Sequence, residues 1–94
     1  MPDLTTAATA RPRHRVTVSG AVAAVTYPAA GSPPSLVARL YDATGSIDLV
    51  WLGRRTVPGV APGRRLRAEG MVSAGRHRPV IFNPVYQLFS EDSP

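Results

Sequence analysis

The chain has 94 residues, no cysteine, and a net charge of +5 from eleven arginines, no lysine and six carboxylates. A chain this short holds one domain. Without cysteine it has no disulfide, no thiol chemistry and no cysteine–zinc site. An apolar fraction of 44% is that of a folded protein, and no apolar run approaches the roughly 18–20 residues of a membrane-spanning helix. The basic balance, with an isoelectric point near 11.1, points to a polyanionic partner, nucleic acid above all. The plainer alternative is a soluble basic surface.

Residues 1–13 are rich in Thr, Ala, Pro and Arg without periodicity, and read as a disordered N-terminal arm. They lack the basic start and apolar segment of a signal peptide, so a cytoplasmic location is expected by default. The foldable domain spans residues 14–89, and 90–94 form a flexible acidic tail. Within the domain, prolines and glycines punctuate short alternating segments, and no stretch has a capped 3.6-residue apolar stripe.

The first strand begins near His14. Val16, Val18, Val22 and Ala24 share the inward phase, with Arg15, Thr17, Ser19, Ala21 and Ala23 in the other. Gly20 falls in the inward phase, where a missing side chain permits a bend or bulge. Beyond Ala24 the alternation breaks, because Val25 and Tyr27 become the large residues. A long first strand bent midway serves both halves of a small barrel. Residues 28–34 are a loop of pure turn chemistry.

Next comes a hairpin, with strands at 36–41 and 46–52 joined by Asp42-Ala-Thr-Gly45. Asp favours the first position of a type I turn, where its carboxylate accepts backbone N–H bonds, and Gly suits a last position with positive φ. Taking those four residues as the loop sets Tyr41 opposite Ser46, Leu40 opposite Ile47, Arg39 opposite Asp48 and Ala38 opposite Leu49. Leu36, Ala38, Leu40, Ile47, Leu49 and Trp51 then share a core face. A slip of one residue would mix the two faces, so the hydrophobic pattern fixes the register. The opposite, wet face carries Val37, Arg39, Tyr41, Ser46, Asp48 and Val50.

Two prolines and two glycines within 54–63 exclude a helix there. Pro62-Gly63 fits the centre of a type II turn. A strand follows with Leu66, Ala68, Gly70 and Val72 inward and Arg65, Arg67, Glu69 and Met71 outward. Residues 74–78 form a basic loop. The fifth strand runs from Pro79 to Phe82, breaks at Asn83-Pro84 and resumes over 85–89; Pro84 cannot donate to a ladder, so the strand is an edge or kinks there. The fold expected is all-β, a small five-stranded Greek-key barrel. A two-sheet sandwich wants about seven strands, and an SH3-like barrel is the nearest rival.

Four motifs in order carry a family resemblance: Val-Ser-Gly-Ala-Val at 18–22, Asp-Ala-Thr-Gly-Ser-Ile-Asp-Leu-Val-Trp at 42–51, Pro-Gly-Arg-Arg-Leu-Arg-Ala-Glu-Gly at 62–70, and Asn-Pro-Val-Tyr-Gln-Leu at 83–88. Together they resemble a nucleic-acid-binding OB-fold. They are most similar to the wedge domain of the bacterial branch-migration helicase and to the anticodon-binding OB domains of some aminoacyl-tRNA synthetases. The resemblance spans roughly 14–89, with the helix common between strands 3 and 4 replaced by a Pro/Gly loop. It implies binding of single-stranded or structured nucleic acid, with no enzyme activity carried over.

OB-folds bind across strands 2 and 3 and the adjoining loops, stacking bases on rings while cations track the backbone. The expected nucleic-acid-binding residues are Arg39 and Tyr41 on the wet face, Arg54 and Arg55 after strand 3, Arg65 and Arg67 on strand 4, and Arg76, His77 and Arg78 in the following loop. Tyr41 is either a base platform or a cross-strand packing ring. Trp51 belongs to the core by its phase, and Tyr86 is structural, at the strand-5 kink. The Arg39–Asp48 pair is an exposed one worth ~0.2–1 kcal/mol, so a phosphate can take Arg39 over, although Asp48 lowers the positive field around it.

His14 and His77 have no metal-ligand spacing, the six acids form no acid–base pair, and no serine or threonine sits in a nucleophile motif. No metal, cofactor or small-molecule substrate is expected, and no catalysis. The expectation is a non-enzymatic binder of single-stranded or branched DNA or RNA, led by backbone contacts with weak sequence preference. The alternative is a protein-interaction or self-associating module that docks through its edge or through Val37, Val50 and Leu52. DNA or RNA, and the oligomeric state, stay open.

Overall fold

A computed structural model describes residues 11–89. The expected tail 90–94 and all but 11–13 of the expected arm lie outside the described residues. Six strand segments follow one another without a helix among the described residues: β1 (Arg15–Thr26), β2 (Ser35–Asp42), β3 (Gly45–Leu52), β4 (Arg65–Ser73), β5 (Val80–Phe82) and β6 (Val85–Leu88). They form one sheet in the order β1-β2-β3-β5-β4-β6, and a further β1–β4 pairing closes the first five into a barrel. All pairings are antiparallel except β3 with β5. The protein is thus the small OB-like barrel that its pattern predicts, with a sixth segment added alongside β4.

Alternation fills the interior. Val18, Val22, Leu36, Leu40, Ile47, Leu49, Leu66, Val72 and Ile81 are fully buried, and Ala38 and Ala68 supply the small positions between them. Such burial stabilises by roughly 1.5–3 kcal/mol per large aliphatic side chain, which lets the fold stand without disulfide or metal.

β1 does serve both halves. Its first part, Arg15 to Ala21, pairs with β4, and from Ala21 onward it pairs with β2. The partner changes beside Gly20, where a Cβ would collide with the backbone carbonyl oxygen of Tyr41. One expectation fails just beyond. A bulge skips Ala23 between the Val22–Leu40 and Ala24–Arg39 pairs, so Ala24 is exposed rather than inward, and Val25 turns toward the core. The break in alternation therefore starts one residue earlier than the size of the side chains indicates.

The β2–β3 register is the expected one, from Leu36–Trp51 through Arg39–Asp48 to Tyr41–Ser46. Asp42 and Gly45 form the last rung, so the connecting loop is only Ala43-Thr44. The Asp42 carboxylate accepts bonds from the Thr44 N–H (2.7 Å), the Gly45 N–H (3.1 Å) and the Thr44 hydroxyl. Gly45 does not have the positive φ expected of it, because it is already part of the strand ladder.

The loop 53–64 stands where many such barrels carry a helix, and it inserts Val57 and Val60 into the core. Its Pro62-Gly63 turn has the type II form: Gly63 has φ +89° and Arg64 N–H bonds to Ala61 O at 3.1 Å. The last strand kinks as Pro84 demands. β5 pairs with β3 and the end of β4, whereas β6 pairs with Leu66 to Glu69 of β4. Asn83, at φ 51°, makes the corner and accepts the Leu52 N–H on its side-chain oxygen at 2.8 Å.

Trp51 and Tyr86 fasten this corner. Trp51 is 4% exposed, as its phase predicts, and its indole N–H donates to Pro84 O at 3.2 Å. Tyr86 meets the indole edge-on at 5.5 Å, and its hydroxyl donates to Pro58 O at 2.8 Å. Tyr86 is accordingly structural, tying β6 to the loop 53–64.

Candidate nucleic-acid interface

The pairings lay the outer surface of β2, β3 and β5 out in rows. One row joins Arg65, Ala21, Tyr41 and Ser46; the next joins Ala24, Arg39, Asp48 and Val80; a third joins Thr26, Val37, Val50 and Phe82. Leu52 follows, opposite Ser35. Alternation sends the β2, β3 and β5 side chains of these rows outward because their strand neighbours fill the barrel, and the bulge at Ala23 turns Ala24 outward with them.

Tyr41 is 45% exposed and stands between two shallow hollows. Arg39 and Thr44 border one, Arg65 and Ser19 the other. Two of the expected cations thus flank the expected ring, although Arg65 arrives there from β4 through its pairing with Ala21.

Asp48 has two arginine partners. Arg78 Nη1 donates to its Oδ2 at 3.2 Å, whereas Arg39 Nε is 3.9 Å from Oδ1, an ion pair without hydrogen-bond geometry. Arg78 therefore leans from its loop onto the sheet with its side chain only 26% exposed, and Arg39 is held loosely with its side chain 47% exposed. Of the three basic residues in this loop, Arg76 and His77 are exposed.

The remaining expected cations lie apart. Arg54 and Arg55 are exposed just past the Leu52 end of β3, away from the Asp42–Gly45 turn. Arg67 is the next outward residue of β4 after Arg65, between Ser19 of β1 and Gln87 of β6, with its guanidinium 5.8 Å above the Phe89 ring. Glu69, the outward residue after that, pairs with Arg15 at 3.6 Å. Arg67 lines neither of the two hollows beside Tyr41.

Phe82 is the residue that alternation alone left out of the face. It is 47% exposed and sits beside Val50 because β5 runs parallel to β3. Its phase opposite Ile81 announces an outward ring, but only the β3–β5 pairing says which surface the ring joins. Among the described residues no three metal-ligating side chains gather.

Fold and face together define a small OB-like barrel with an arginine-flanked, aromatic-bearing sheet surface. Compared with models of known protein families and with curated proteins, the chain matches none.

Proposed function

We propose that this barrel binds single-stranded or branched nucleic acid without catalysis, led by phosphate contacts and with weak sequence preference. The observation that carries this reading is the distribution of charge. Residues 11–89 contain all eleven arginines but only three carboxylates, Asp42, Asp48 and Glu69, which is a charge of +8. Each carboxylate is engaged: Asp42 within its turn, Asp48 with Arg39 and Arg78, Glu69 with Arg15. Little is left to oppose a phosphate approaching the exposed Arg54, Arg55, Arg65 or Arg76. Guanidinium forks suit phosphate oxygens, and a ring on the same face suits a base. The motif order supports the finer relationship as well. Likeness to the helicase wedge domain favours branched DNA, and likeness to the anticodon-binding domains favours structured RNA.

Titration of labelled single-stranded DNA and RNA at two or more salt concentrations tests the proposal. With about three to five phosphates neutralised, log K against log salt should slope at roughly −2 to −3.5. Absence of binding at low salt, or binding indifferent to salt, would overturn it. The second reading, a protein-docking module, is favoured by the contiguous Val37, Val50, Leu52 and Phe82, two of them about half exposed. Light scattering, and a pull-down repeated after nuclease treatment, separate the two readings.

A further inference from the structure

Tyr41 and Phe82 stand at opposite corners of one surface. They are separated by two rows along the strands and two strand spacings across, so their Cα atoms lie about 16 Å apart. Between them sits Asp48, the sole carboxylate in these rows, with Arg39 and Arg78 turned toward it. Around Phe82 the surface is apolar: Val50 beside it, Val37 beyond, and Leu52 at the next outward position of β3. The freer cations lie at the margins, Arg65 in the Tyr41 row and Arg54 and Arg55 past Leu52.

We propose that Phe82 is a second nucleobase-stacking site, at the far end from Tyr41 of one path across β2, β3 and β5, and that Asp48 keeps phosphates off the centre of that path. This rests on the face being a nucleic-acid surface, and it names the ligand as an unpaired strand with its bases toward the sheet. A strand lying with its backbone inward would press phosphates against a carboxylate that already occupies Arg39 and Arg78 and against apolar side chains that offer no donors, which is unfavourable on both counts. With bases inward, the two rings each take a base face, the carboxylate can accept N–H groups from base edges, and the phosphates are left to the marginal arginines. A duplex hides its base faces within its own stack and gains nothing from either ring. A protein partner is less well served. A standard interface takes roughly 800 Å² per partner, and four side chains, two half exposed and two mostly covered, offer well under half of that.

The test compares an unstructured ~15-nucleotide strand with the corresponding duplex, a length within the range of OB-fold sites. F82A should weaken strand binding about 5- to 100-fold with an unchanged salt slope, while duplex binding stays as it was; F82Y, which keeps a ring, should bind the strand like the parent. D48N should raise duplex affinity more than strand affinity. E69Q makes the same change of charge outside these rows, on β4 beside Arg15, and should leave the strand-to-duplex ratio unaltered. The stacking proposal falls if the parent binds the strand and folded F82A binds it equally well, or loses strand and duplex alike. It also falls if D48N and E69Q shift the ratio equally. Self-association that F82A abolishes without altering strand binding would assign the patch to protein contact instead. A parent that binds neither oligonucleotide removes the broader functional reading together with this one.

Discussion

Gly20 lies where β1 leaves β4 for β2, and the turn in its path depends on the absence of a side chain. A Cβ there would strike the Tyr41 carbonyl oxygen, which is backbone and cannot rotate aside, and would come within 3.3 Å of Leu40 Cγ. Gly20→Ala should therefore destabilise the fold by about 2–3 kcal/mol, a fall in melting temperature of ~10 °C or more for a domain of this size. A fall under ~4 °C would mean that β2 yields easily at this point. Because the clash is with Tyr41 itself, the substitution also displaces the ring on the candidate face. At the same scale, alternation alone assigns Trp51 to the core, since Ile47 and Leu49 share its phase and are completely buried. What alternation does not reveal is how the indole N–H is satisfied. Its acceptor, Pro84 O, is 33 residues away in the chain.

Among the elements, the β2–β3 hairpin was the most legible. Its two strands have opposite polarity on their two faces and a turn closed by Asp42, so only one register keeps every large apolar side chain inside. The loop 53–64 was the least legible. Its prolines and glycines rule out a helix, but two isolated valines in a turn-rich segment have no period to declare them buried. Tyr86 of β6 ties the loop down between them by its bond to Pro58 O. Tyr86→Phe removes that bond while keeping the edge contact with Trp51. Stability should fall by about 1 kcal/mol, seen as a drop of ~4–8 °C in thermal melting, with oligonucleotide binding unchanged. A change in binding without a change in melting would contradict the structural role assigned to this ring.

Across the whole molecule, the arginines fall into separate districts. Arg39 and Arg65 flank Tyr41, Arg54 and Arg55 extend the Leu52 end of the face, Arg76 and His77 are exposed on their loop, and Arg67 lines neither hollow beside Tyr41. Replacing both Arg54 and Arg55 by Glu should weaken single-strand binding and reduce the magnitude of its salt slope by about 1.4, the share of two phosphates. Melting should stay within ~4 °C of the parent, since both side chains are exposed. Arg67→Glu should change binding far less. Equal losses from the two variants, measured in the same titration, would show that general charge rather than this face directs binding.

From its residues alone, this chain determined an all-β barrel, a bent first strand, the hairpin register, the kink at Asn83-Pro84 and an excess of positive charge. All of these are written in alternation, turn chemistry and composition, which act between near neighbours. Only the tertiary structure decided that β5 runs beside β3, bringing Phe82 onto the Tyr41 surface and Arg78 onto Asp48, and that closure through β1–β4 sets Arg65 in the Tyr41 row. Which surface a residue joins depends on how strands distant in sequence pair, and the in–out pattern of a single strand has the same period whichever neighbour it takes.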